Sequence, residues 1–235
     1  MYQCSYYKKI PIDDLLEKVY KRLYQEFGPQ GWWPADSKFE TIIGAILTQS
    51  VSWTNVEKAI QNLKEYSASF GVNSSGINLL SPVLIKDIDV KLLAELIRPS
   101  GYFNMKAKKL KAFINFLHQE YHDDLDYMFK EDLEVLRSNL LKVYGIGPET
   151  ADSILLYAGN YPIFVIDAYT KRIFSRMILT IKDVDYHELQ QLIMENCLPG
   201  VDKYNEYHAL IVALGKNVCK KRSPNCNICP LVNNV

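Results

Sequence analysis

Apolar residues recur at three- and four-residue steps along nearly the whole chain, while the strict alternation of strands is scarce. Ile12, Leu15, Leu16, Val19, Leu23 and Phe27 fall on one face of an amphipathic helix over 12–27, which Gly28-Pro29-Gln30-Gly31 breaks. Ser37 stands as a helix cap with Glu40 three positions on, the spacing of a capping box. The run Ile42, Ile43, Ala45, Ile46 and Leu47 behind it reads as buried on most faces. Similar periodicity predicts helices over 54–66, 82–88, 90–97, 104–121, 131–143, 148–159, 168–178, 185–196 and 203–216. The Ser-, Gly- and Asn-rich stretch 67–80 reads as a loop. No fixed-period repeat or low-complexity tract interrupts this pattern. The fold class is all-α.

A chain of 235 residues can bury a substantial core, as one large or two small joined domains. No apolar run reaches the roughly 18 residues of a membrane span, and the N-terminus lacks the apolar stretch of a signal peptide. These features predict a cytoplasmic protein. The 27 basic and 27 acidic residues cancel, which argues mildly against a nucleic-acid partner. The distribution softens that argument. Lys106, Lys108, Lys109 and Lys111 cluster, as do Lys171, Arg172 and Arg176, and Lys220, Lys221 and Arg222. Any one cluster reads first as a solvated helix face; three together tilt modestly towards phosphate.

Residues 144–152 read Tyr-Gly-Ile-Gly-Pro-Glu-Thr-Ala-Asp, between a Leu-rich segment (Leu133, Leu136, Leu140, Leu141) and a new helix start. Gly145 and Gly147 make a tight turn whose outward amides, with the helix N-terminus, can hold a phosphate without side-chain charge. About twenty residues on, Asp167 stands alone in Phe-Val-Ile-Asp-Ala-Tyr, placed to act on whatever the phosphate anchors. Each feature has a plainer reading: the glycines as a helix–helix turn, Asp167 as a helix N-cap.

The pairing resembles the helix-hairpin-helix DNA glycosylases of the endonuclease III superfamily. Trp32-Trp33-Pro34, Phe39-Glu40, the run Gly44 to Gln49, Arg98-Pro99-Ser100-Gly101-Tyr102 and Lys106-Ala107-Lys108 are similar to its bacterial 3-methyladenine DNA glycosylase III branch. The resemblance extends over about residues 32–216. It implies two helical subdomains enclosing a DNA-binding cleft, 32–159 carrying the hairpin and 1–31 with 160–235 forming the other.

It further implies excision of a flipped, alkylated purine from double-stranded DNA, by a monomer, with Asp167 as the catalytic acid. A fixed carboxylate would stabilise the oxocarbenium character of the sugar and orient a water. Trp33 and Trp53 would sandwich the base, Trp32 and Pro34 would shape the pocket, and Lys216 would match a lysine carbamylated in that branch. Gln49 would fill the gap left in the duplex, with Gly145, Gly147 and Thr150 on the DNA. Tryptophan pairs also fill cores, and a lysine such as Lys216 is ordinarily just exposed. His208 reads as structural. Strand-cleaving members carry a hairpin lysine where this chain has Glu149, and a carboxylate cannot form an imine with the sugar. The resemblance therefore implies a monofunctional enzyme. Two alternatives stay open: a glycosylase for oxidised pyrimidines or mismatched bases, and a non-catalytic hairpin that binds DNA structure.

Cys219, Cys226 and Cys229 give a C-x6-C-x2-C tail that suggests metal or cluster ligation. Members of the superfamily close a [4Fe-4S] cluster with a fourth cysteine after five intervening residues, where this chain has Val235. A bound cluster, a labile three-cysteine cluster and a vestigial site are the readings this leaves.

Overall fold

The computed structural model describes residues 10–69, 80–177 and 185–232, and every regular element among them is helical. Most of the predicted loop 67–80, the last residue of the predicted helix 168–178, Cys4 and Val235 lie outside the described residues. In chain order the helices are α1 (Ile12–Phe27), α2 (Lys38–Leu47), α3 (Trp53–Ala68), α4 (Pro82–Asp87), α5 (Val90–Leu96) and α6 (Phe103–Tyr121). There follow α7 (Leu125–Met128), α8 (Leu133–Lys142), α9 (Pro148–Ser153), α10 (Ala168–Met177), α11 (Tyr186–Asn196) and α12 (Val201–Asn217). A π-helical turn, Ile154–Ala158, continues α9.

The chain divides into two compact units, Trp33–Tyr161 and a second assembled from Met1–Trp32 with Pro162–Val235. The central unit is built around α2. Every residue from Phe39 to Leu47 is buried, because its apolar residues circle the helix instead of keeping to one stripe. Ser37 caps α2 as its spacing predicts, its hydroxyl accepting from the Glu40 amide at 3.1 Å. The reciprocal half of the capping box goes elsewhere. The Glu40 carboxylate pairs with Lys64 of α3 at 2.8 Å, tying two helices together instead of one helix to itself.

The terminal unit joins the two ends of the chain. The buried face of α1 is Leu15, Leu16, Val19 and Leu23, each fully enclosed side chain contributing about 1.5–3 kcal/mol. The Tyr207 hydroxyl of α12 donates to the Leu16 carbonyl at 3.0 Å, and Lys203 pairs with Glu17 at 2.9 Å.

Of the first basic cluster, only Lys108 is an exposed lysine with no buried role. Lys106 is 2 % exposed and donates to the Leu47 and Ser100 carbonyls at 2.8 and 2.5 Å. Lys111 donates to the carbonyls of Lys86 and Ile88. The charge count had read these lysines as a solvated face, but their long stems reach inward to orphan carbonyls at helix ends.

Candidate active site and nucleic-acid interface

In the central unit α8 and α9 form a helical hairpin. The turn closes through the Val143 amide on the Leu140 carbonyl at 3.0 Å and the Ile146 amide on the Val143 carbonyl at 3.1 Å. Ile146 is 4 % exposed and pins the turn, while Gly147 is exposed at the start of α9. Gly145 sits at φ +82°, where a side chain would be strained, and a Cβ there would overlap the methylene stem of Lys109. Across the hairpin the Arg137 guanidinium forks onto the Asp152 carboxylate at 2.6 and 3.1 Å, with Asp152 fully buried.

Two of the residues assigned to DNA are turned inward. Thr150 is 6 % exposed and its hydroxyl accepts from Gln49 Nε2 at 2.9 Å. Gln49 Nε2 also donates to the Gly145 carbonyl at 3.0 Å, and Lys109 Nζ donates to Gln49 Oε1. The side chain expected to fill a gap in the duplex is thus docked on the hairpin. Glu149 is exposed on the first turn of α9.

The aromatic residues assigned to the base pocket lie together in the central unit, Trp32 excepted. Trp33 and Trp53 meet edge to face, 5.0 Å between centroids at 86°, so the edge of one ring rests on the face of the other and the two are not parallel. A Cβ on Gly44 would lie 3.2 Å from Trp33 and 3.4 Å from Trp53, so the bare backbone of α2 forms the floor beneath both indoles. Tyr157, on the π-helical turn, completes the cluster 5.0 Å from Trp33. Sequence reading passed over it; an aromatic on the second hairpin arm was the available signal. The Trp53 indole N–H donates to Glu57 at 2.8 Å. Beside it opens a cavity of about 560 Å3 whose lining includes Pro34, Glu40, Trp53, Glu57 and Lys64, but not Trp33.

In the terminal unit Asp167 precedes α10 and caps it. Its Oδ1 accepts from the Thr170 amide at 2.7 Å and from the Thr170 hydroxyl at 2.8 Å. His208 Nε2 of α12 stands 3.7 Å from Oδ2, an ion-pair distance when the imidazole is protonated and longer than a hydrogen bond. The side chain is 12 % exposed. Burial alone would raise its pKa, but His208 and the two Thr170 bonds outweigh burial and hold the carboxyl below its ordinary value. Cap and fixed charge are therefore the same residue: one oxygen anchors, the other faces His208. Trp32 falls in this unit and is half-buried, and Lys216 is exposed on the last turn of α12.

Cys219, Cys226 and Cys229 line one cavity with Arg176 and Val218, of about 20 Å3, room for roughly one water. Arg176 Nη1 donates to Cys219 Sγ at 3.1 Å, and burial pushes the Cys229 thiol up. No group of three or more His, Cys, Asp or Glu side chains among the described residues is set to hold a metal ion. Three thiols around so small a space are a partial ligand set for a cluster, and position 235 lies outside the described residues. Spacing fixes which residues can meet, not how far apart their sulfurs stand.

A compact hairpin with a bare glycine turn, followed by an anchored aspartate, defines a helix-hairpin-helix protein. Residues 43–199 match the model of the HhH-GPD superfamily of base excision DNA repair proteins, and the chain belongs to that superfamily. It is 43 % identical over 220 residues to MJ1434 of Methanocaldococcus jannaschii, which carries the name of a DNA repair glycosylase, covering 93 % of this chain and 94 % of that one. Endonuclease III of Sulfolobus acidocaldarius is 28 % identical over 81 % of this chain and 78 % of its own. Among solved structures, the Helicobacter pylori 3-methyladenine DNA glycosylase MagIII bound to 1,N6-ethenoadenine superposes with a TM-score of 0.72. That match has 29 % identity and covers 88 % of this chain and 98 % of the other. An endonuclease III–DNA complex superposes at 0.76 with 20 % identity over 94 % of each chain, a likeness of fold.

Proposed function

We propose that this chain is a monofunctional DNA glycosylase that hydrolyses the N-glycosidic bond of a flipped, alkylated purine of the 3-methyladenine type. The observation that carries the reading is the anchoring of Asp167, with one carboxylate oxygen locked by Thr170 and the other facing His208 at 3.7 Å. Cleavage of the bond between C1′ and nitrogen builds positive charge on the deoxyribose. A fixed carboxylate lowers that barrier without reorganising, and the oxygen not held by Thr170 can orient the attacking water. An alkylated base is already cationic and leaves readily, so little acid assistance is required. The likeness to an enzyme named for 3-methyladenine supports this substrate class.

Glu149, exposed at the start of α9, offers no amine to the sugar, which favours hydrolysis over strand cleavage. The partner is double-stranded DNA bearing the damaged base, met by a monomer in the cytoplasm. No described helix is long and apolar enough to cross a membrane.

Asp167→Asn keeps the anchoring oxygen and removes the charge. It should cut release of 3-methyladenine from alkylated duplex by about 10²–10³-fold while DNA binding persists. Full activity in that variant would remove Asp167 from the reaction. Borohydride should trap no enzyme–DNA adduct, and an efficient adduct would mean that a lysine attacks the sugar. A panel of duplexes carrying alkylated, oxidised or mismatched bases measures the preference directly.

A further inference from the structure

Gln49 lies just past α2, beside Ser50 at φ +58°, in the short turn that joins α2 to α3. Its amide is held on both sides. The nitrogen gives one proton to the Gly145 carbonyl and one to the Thr150 hydroxyl, and the oxygen receives the Lys109 ammonium. Lys109 also lays its methylenes across Gly145, in the space a Cβ would fill. The lysine therefore touches the turn directly and grips it a second time through Gln49. All four residues belong to the central unit.

We propose that Lys109 is a positioning residue that, through Gln49, braces the hairpin turn in the conformation that grips the nucleic-acid backbone. In the free protein Gln49 works as part of this brace. The inference rests on the hairpin being the DNA-gripping element. The chemistry favours an intramolecular task for Lys109. Its ammonium sits on an amide oxygen and its stem under a backbone turn, so drawing it out to a phosphate would surrender both contacts. A second consequence concerns glycine. Position 145 must be bare because the lysine stem passes there, and not only because of its positive φ.

The test is affinity for an undamaged duplex, measured over a range of salt concentrations, for wild type, Lys109→Met, Gln49→Ala and the double variant. Each single change should weaken binding about tenfold, and the double variant should be no weaker than either alone, because both remove one linkage. The slope of log affinity against log salt should stay at the wild-type value. Thr150→Val removes one acceptor from the far side of the amide and should produce the same loss, and thermal unfolding should stay cooperative in all of them. Lys109→Arg, which keeps a donor and a long stem, should recover part of the loss.

A slope reduced by about 0.9 in Lys109→Met would make the lysine a direct phosphate contact and overturn the proposal. So would losses that multiply in the double variant. Wild-type protein that binds no duplex would overturn the DNA reading itself, and this inference with it.

Discussion

Lys106 is the residue whose surroundings contradict its type most. Burial, then the nearby Lys109 cation, lowers its pKa to about 8. Its ammonium supplies donors to two backbone carbonyls, at Leu47 and Ser100, where two segments end. Lys106→Met keeps most of the volume and removes both donors. It should cost about 1–3 kcal/mol for each carbonyl left without a partner, read from urea unfolding at neutral pH. The pH dependence has a definite sign. Between about 8 and the unfolded value of about 10.4, the unfolded chain binds a proton that the folded one does not, so Lys106 makes stability rise with pH there. Below that window both states are protonated and the slope vanishes. The difference between wild type and Lys106→Met should therefore shift in favour of wild type from pH 7.5 to 9.5. A difference that stays flat would show that the amine titrates normally.

At the scale of the element, the hairpin is held shut by Arg137 of α8 and Asp152 of α9, 13 % and 0 % exposed. The pair ties α8 to α9 several residues away from the glycines on either side of the turn. Removing one partner strands the other charge out of water, which costs about 3–5 kcal/mol. Asp152→Asn should lower stability by that order in chemical denaturation and weaken DNA binding with it. Replacing both residues by apolar ones of similar volume should restore much of the stability. Asp152→Asn with an unchanged denaturation midpoint would mean that the hairpin is carried by packing of Ile146 and Leu140 alone. The π-helical turn that follows has a visible consequence as well: it presents Tyr157 to Trp33. Such turns are frequent at functional sites.

At the scale of the whole molecule, the terminal unit closes on its cysteine tail through arginine. Arg172 donates to the carbonyls of Cys219 and Gly215 at 2.9 Å each, and Arg176 to those of Lys220 and Lys221 at 2.9 and 3.2 Å. These four bonds predict a tail that folds without waiting for a metal. Treatment with a chelator should leave the unfolding midpoint unchanged, and purified protein should hold well under one iron–sulfur cluster per chain by iron and sulfide analysis. Arg172→Ala should destabilise by about 1–3 kcal/mol, since it leaves two part-buried carbonyls without this donor. A brown protein whose midpoint drops on chelation would show that the three cysteines do gather a cluster, and the arginine clamp would then be secondary.

The sequence by itself determined the all-helical class, nearly every described helix to within two residues, the hairpin and the family. Those rest on local periodicity, on turn chemistry and on motifs contiguous in the chain, which neighbours in sequence specify. It also singled out Asp167 with both of its readings, cap and acid, though not that one carboxylate serves the first with one oxygen and leaves the other to face His208. Only the tertiary structure decided what distant side chains do to one another. Lys106 and Lys109 look alike among four lysines in the sequence, yet one ends in a buried nest of carbonyls and the other on Gln49. Trp33 and Trp53 suggest a slot by type, and their edge-to-face meeting depends on Gly44 beneath them. Three cysteines at ligand spacing close on a space the size of one water, with an arginine in attendance. Contacts such as these are settled by packing between elements far apart in the chain, and local sequence carries no record of them.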